Sequence, residues 1–244
     1  MGQQLMCVVA HPDDECYAFG GALALAADRG VETYVVCLTD GQAAKHRGRA
    51  DSGRELGRIR RQEFAASCDV LGVTHHEILD FEDGRLEFAE FSSTARMLVE
   101  RMRRHRPQVV VTFGGDGGMN LHADHMMTSA LTTAAFHWCG QANRFMELGA
   151  AHQPERLFYV TTNVFLPGRP SPKPIPWTVV LDIRSVQQRK FEAFRQHVSQ
   201  APLMNRTKEF FEKLGPQEFY ALVAVTDPQP ARPASDLFEG LHSH

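Results

Sequence analysis

The chain has 244 residues, enough for one sizeable core, and its net charge of −3 with 23% charged residues carries no mark of a nucleic-acid binder. Its five cysteines, an odd number without CxxC spacing, argue for a reducing, cytoplasmic setting rather than a disulfide framework. There is no basic leader followed by an apolar core and no run of ~18 apolar residues, so no membrane insertion is expected.

The apolar run 5–10 predicts a buried strand, 20–29 a helix closed by Gly30, and 31–39 a second strand. Residues 40–52 are small and polar and read as a loop. Helical periodicity then spans 53–71 with a Gly72 stop, and 76–81 reads as a third strand. A helix over 91–105 ends before Pro107, and its basic run 101–106 reads as an exposed helix end favoured by the dipole. A fourth strand (109–113), a glycine-rich turn (114–118) and a helix (122–139) follow. Further strands are expected at 157–162 and 178–183, and a helix at 185–200. This alternation predicts the α/β class: a Rossmann-like, mostly parallel sheet with helices on both faces, in a single domain over 1–225. The proline-rich stretch 166–177 is expected as an extended surface loop, and 226–244 as a poorly ordered tail.

The chemistry-bearing residues follow strand ends. His11, Asp13, Asp14 and Glu15 follow the first strand, and Thr39-Asp40-Gly41 the second. Asp80, Asp83 and Gly84 follow the third, and Asp116, Asn120, His122, Asp124 and His125 the fourth. Ligands of open parallel sheets bind beyond the strands' carboxyl ends, where strand order reverses, so segments a hundred residues apart are expected to converge. A catalytic zinc takes three protein ligands and a water. His11 and Asp14 can supply two of these from one turn, and His125 the third. Asp13 then remains beside the metal as a general base. His122, about one helical turn from His125, could act as imidazolium, stabilising an oxyanion or protonating a leaving amine. Asp124 is the candidate to orient it. The structural alternative is that Asp13 or Asp14 merely caps the next helix and that the histidines are ordinary helix residues. The sequence lacks GxGxxG, GxSxG and HExxH, which disfavours dinucleotide binding, serine-hydrolase chemistry and that class of zinc helix.

Ala10-His11-Pro12-Asp13-Asp14-Glu15 with Gly20-Gly21, followed by His122-Ala123-Asp124-His125, resembles the PIG-L/LmbE-like family of zinc-dependent N-acetylglucosaminyl deacetylases. Arg60-x-x-Glu63 before Leu71-Gly72-Val73 resembles the family's second-helix pattern. Asp83-Gly84 after the third strand agrees with the family too, and Lys190 to Gln200, with Ala193, His197, Ser199 and Gln200, resembles its late helix motif. After Thr39-Asp40-Gly41 the chain carries Gln42, where related enzymes often have an acidic residue. The resemblance implies a zinc ion on His11, Asp14 and His125, with Fe2+, Co2+ or Mn2+ as substitutes. It implies Asp13 as base, and His122 as a charged histidine paired with Asp124. It also implies sugar contacts at Arg60, Asp83 and His197, a small-molecule amino-sugar substrate and a homo-oligomer, trimeric or hexameric. The expected reaction is removal of the N-acetyl group from an N-acetylglucosamine-type sugar or conjugate. An amidase acting on a thiol–sugar conjugate is one alternative, and a non-catalytic metal- or sugar-binding module another.

Overall fold

In the computed structural model, residues 2–118, 120–164, 174–227 and 232–241 are described. Residues 166–173 of the expected proline-rich loop lie outside them. The strands are β1 (Gln4–Val9), β2 (Glu32–Thr39), β3 (His75–Phe81), β4 (Val109–Phe113), β5 (Arg156–Thr161), β6 (Val179–Asp182) and β7 (Gln217–Val225). They are joined by α1 (Asp14–Tyr17), α2 (Gly20–Asp28), α3 (Gly53–Leu71), α4 (Phe91–His105), α5 (Ala123–Cys139), α6 (Gln187–Arg195) and α7 (Ala201–Leu214). They form one seven-stranded sheet in the order β3-β2-β1-β4-β5-β7-β6. Pairing is parallel from β3 through β5, and β7 runs antiparallel to both of its neighbours.

β1 shows why the sheet is buried on both sides. Leu5, Cys7 and Val9 point into one apolar cluster, and Met6 and Val8 into the other. Two-sided burial is what a continuous apolar run, rather than an alternating one, demands. The order also fixes the site. From β1 the chain steps to β2 and β3 on one side, then crosses to β4 on β1's other flank. β1 and β4 therefore flank the point where strand order reverses, and their carboxyl ends open the crevice that α/β sheets use for ligands.

Several helix ends are set by single residues. Ser52 accepts the Glu55 N–H at the start of α3, and Gly72 ends that helix with φ 78°. Of the basic run in α4, Arg101 grips Glu77 with two 2.8 Å bonds. Arg103, only 5% exposed, donates to the carbonyls of Cys139, Gln141, Arg144 and Phe145. That run ties α4 to the segment after α5, so it is not the simple exposed end its composition suggests. The segment after 226, expected to be loose, is anchored where it is described. Ala234 pairs with Val179, Arg29 bonds Asp236, and Leu237 and Phe238 are buried in the core.

Candidate metal centre

The turn after β1 and the start of α5 close on each other. His11 Nδ1 lies 3.2 Å from His125 Nε2 and 3.5 Å from Asp14 Oδ2, and His125 Nε2 lies 3.2 Å from Asp14 Oδ1. Two ligands bound at about 2.0–2.1 Å in tetrahedral directions sit about 3.3 Å apart. The imidazole–imidazole distance matches that spacing, and each ring nitrogen lies near it from one oxygen of Asp14, Oδ2 for His11 and Oδ1 for His125, so two imidazoles and one carboxylate, separated by up to 114 positions, converge as three neighbouring ligand groups.

The tautomers suit the same purpose. His125 stacks flat on Phe113, with ring centroids 4.1 Å apart, and its Nδ1 lies 3.0 Å from the carbonyl of Gly117, which leaves Nε2 free to ligate. Gly117 has φ 67°, and a Cβ there would come within 3.2 Å of the His125 Cβ, so the turn needs a residue without one. His11 turns its Nε2 onto Asp124 Oδ2 (3.1 Å) and Asp83 Oδ1 (3.0 Å), which leaves Nδ1 for the metal. Those carboxylates are themselves held. Asp124 accepts the N–H groups of Gly84 and Leu86, and Asp83 accepts that of Ala43. The donor set therefore fits a divalent transition-type ion. Two other groupings of ligand-type side chains share His11, one with His122 and His125 and one with Asp83 and Asp124. A third joins Glu15, Cys16 and His197. In that last group burial raises the Cys16 thiol well above its usual range, which keeps it a poor ligand.

Burial disfavours charge on His11, but its bonds to Asp124, Asp14 and Asp83 outweigh this and raise its pKa well above the usual value. A metal must displace the Nδ1 proton, so uptake by the metal-free protein at pH 7 is expected to release protons, and apparent affinity to rise with pH. Titration of zinc at stepped pH with a competing chelator reads this directly. Asp124→Asn removes the charge behind His11 and is expected to weaken metal binding 10–100-fold, measured by the same competition.

The capping alternative fails for Asp13. It is the residue before α1, at φ 99° and ψ −25°, yet its side chain makes no capping bond. A left-handed conformation at a residue other than glycine is uncommon and is held here from both sides. Arg60 Nη2 donates to Asp13 Oδ2 at 3.0 Å and to the Pro12 carbonyl, while Nη1 reaches the Gly41 carbonyl at 2.9 Å. The Asp13 N–H donates to Glu15 Oε2 at 2.9 Å. Glu15 Oε1 in turn accepts from Ser67 Oγ and lies 2.7 Å from His197 Nε2, in a pocket closed to solvent. Burial raises Asp13 to about 6, opposed by Arg60 and reinforced by Asp14. Asp14 goes the other way: the imidazoles of His125 and His11 overcome its burial and hold it well below the usual carboxylate range.

In the structure four of the expected residues meet partners other than those the resemblance implies. Asp124 does not turn its carboxylate to His122 but to His11. His122 instead caps α5, with its Nδ1 accepting the Asp124 N–H at 3.2 Å. Desolvation of its ring within the cluster and the neighbouring imidazoles of His11 and His125 lower its pKa, and with Nδ1 accepting, a neutral ring carries its proton on Nε2. Arg60, expected on the sugar, lines the cavity and gives Nη1 to Gly41 and Nη2 to Pro12 and Asp13. His197 is 1% exposed and reaches Glu15, not a ligand. Asp83 does line the cavity, but both its oxygens are engaged, one by His11 and one by Ala43. The role of Glu15, with Ser67 and His197 behind it, went unread. Its adjacency to Asp13 was visible, but not the direction of its carboxylate.

These residues open into a cavity of about 690 Å³, which also touches the loop after β2 and the face of α7 carrying Leu203, Arg206 and Thr207.

The PIG-L family, described as GlcNAc-PI de-N-acetylase, matches residues 6–136. Over 177 residues the chain is 31% identical to mycothiol S-conjugate amidase of Streptomyces coelicolor, covering 64% of this chain and 60% of that one. Over 250 residues it is 27% identical to the 1D-myo-inositol 2-acetamido-2-deoxy-alpha-D-glucopyranoside deacetylase of Rhodococcus jostii, covering 85% of each. Among solved structures, N,N'-diacetylchitobiose deacetylase of Pyrococcus horikoshii superposes with TM-score 0.74 at 23% identity, over 91% of this chain and 84% of that one.

Proposed function

The chain belongs to the PIG-L family, and from that premise we propose that it is a metal-dependent hydrolase removing the N-acetyl group from an N-acetylglucosamine-type sugar or conjugate. The observation that carries this reading is the His11–Asp14–His125 triangle with the carboxylate of Asp13 beside it, outside the triangle and unused by any cap. A site that only binds metal has no use for a spare base. Zinc is the ion of this reading, because two imidazoles, one carboxylate and an open fourth position are a catalytic zinc set; Fe2+, Co2+ or Mn2+ are the substitutes to compare.

A divalent ion there supplies Lewis acidity to the acyl oxygen and acidity to a water. The protein supplies the rest. Asp13, raised by burial to about 6, accepts the proton of the attacking water, and Arg60 fixes its oxygen. His122, neutral and locked by the Asp124 N–H, presents Nε2–H to the developing oxyanion. The proton held on Asp13 then passes to the departing nitrogen, which leaves as the amine while the acyl group leaves as acetate.

The chain's likeness to an amidase keeps a second reading in view: cleavage of the amide of a thiol–sugar conjugate by the same groups. Product analysis separates the two, since the first releases acetate and the second a mercapturate-type acid. Chelator-sensitive acetate release from N-acetylglucosaminides supports the proposal. No turnover of any amino-sugar amide by metal-loaded protein would instead favour a non-catalytic binding module. All five cysteines are free and buried, which supports a reducing, cytoplasmic setting as part of the same reading. Among the described residues no helix is long and apolar enough to cross a membrane. Assembly as a trimer or hexamer also belongs to it, and sedimentation reads that state.

A further inference from the structure

The reaction uses one end of the cavity and leaves the other to be explained. Away from the metal residues, the wall is formed by Lys45 and His46 of the loop after β2 and by Leu203, Arg206 and Thr207. The last three, spaced i, i+3, i+4, share one face of α7. Gln200 Nε2 donates to the His46 carbonyl at 2.9 Å, which ties the loop to the start of α7, and Lys45 of the loop and Arg206 of the helix line the same cavity.

The charges there are out of balance. The carboxylates lining the cavity are all engaged: Asp13 by Arg60, Asp14 by His11 and His125, Asp83 by His11, and Glu218 by Lys190. That also occupies the cations Arg60 and Lys190. Among the described residues, Lys45 and Arg206 make no hydrogen bond or ion pair, while Arg47, Arg49 and Asp51 of the same loop stand outside the cavity's lining. A chain of net charge −3 thus carries a local positive mouth on its cavity. At about 30 Å³ per water-sized group, the 690 Å³ cavity has room for an acylated sugar ring and a substituent beyond it.

We propose that the substrate's aglycone carries an anion, a carboxylate or a phosphate, held by Lys45 and Arg206 while the acetamido group reaches Asp13 and His122; this rests on the deacetylase reading above. Lysine brings a compact charge and arginine a fork that matches either oxyanion.

The test uses three N-acetylglucosaminides whose aglycones have equal length and end in a carboxylate, a phosphate monoester or an uncharged amide. With metal-loaded enzyme at low salt, kcat/KM for the better anion should exceed that for the amide by roughly ten-fold, mainly through KM, and the ratio should shrink as salt is raised. In the Lys45→Ala/Arg206→Ala double variant the ratio should fall toward one. Which anion is preferred identifies the source of the charge. Equal values for all three substrates, or an unchanged ratio in the double variant, would overturn the proposal. Equilibrium binding of the same glycosides reads the subsite apart from turnover. Tighter binding of an anion without acetate release keeps the subsite and discards the deacetylase reading, whereas equal binding discards the subsite.

Discussion

Asp13→Ala is expected to lower kcat by roughly 10²–10⁴ while the protein keeps its metal and its KM changes little. The reason is positional: Asp13 lies outside the ligand triangle, so its loss removes a proton acceptor and not a ligand. Asp13→Asn, which keeps an oxygen for Arg60, should lose activity to a similar degree, because the amide cannot take the proton. The pH profile carries the same assignment. Burial raises Asp13 to about 6, and the base works only when ionised, so activity should fall as pH drops through that value. A bound cation alongside acts against that rise, so the acid limb of the metal-loaded enzyme should lie at or below that value. An acid limb of kcat/KM centred above pH 7, or near-normal kcat in Asp13→Asn, would remove Asp13 from the role of base.

The second large effect is metal loss. His11→Ala should leave purified protein with little bound metal and no measurable turnover, read by elemental analysis alongside acetate release. His11 also separates the carboxylates of Asp83 and Asp124, so its removal leaves buried charge uncompensated and costs about 3–5 kcal/mol of stability. His125→Ala is the cleaner companion, since it vacates a corner of the triangle without baring those two acids. A full equivalent of zinc retained by folded His125→Ala would exclude that ring as a ligand.

The sheet's order explains how much of this could be read in advance. Strand β1 ends abruptly in ligand-type residues, β4 leads through a glycine-rich turn to the others, and the reversal of strand order between them makes the two endings neighbours. Their convergence therefore followed from local patterns alone. Helices α3 and α4 were equally legible, being long, periodic and punctuated by Gly72 and Pro107. α7 and β7 were not read. α7 opens on Ala201-Pro202 directly after another helical segment, where no sequence break separates them. β7 is defined by inserting antiparallel between β5 and β6, a pairing that no local pattern encodes. From β7 comes Glu218, which accepts the N–H groups of Gly21 and Ala22 across 197 and 196 positions. A Cβ on Gly21 would come within 2.6 Å of that carboxylate, which explains the glycine in the first motif.

Side-chain direction was the other blind spot. Asp124 sits two residues from His122, and sequence adjacency suggested a pair, but at the start of α5 the carboxylate swings back onto His11. Arg60 and Glu63, and His197 and Ser199, belong to the two helix patterns on which the resemblance rests, with Arg60 and His197 expected on the sugar. In the fold they brace one another: Ser199 donates twice to Glu63, and His197 and Arg60 both support the turn carrying Asp13. Their shared pattern reflects the construction of that turn.

The most direct measurement is anomalous diffraction from crystals of zinc-loaded protein. The expected peak lies about 2 Å from His11 Nδ1, His125 Nε2 and an Asp14 oxygen, with the Asp13 carboxylate outside bonding distance and still held by Arg60. A peak bound by Asp13, or one seated on the Nε2 side of His11 between Asp83 and Asp124, would contradict it.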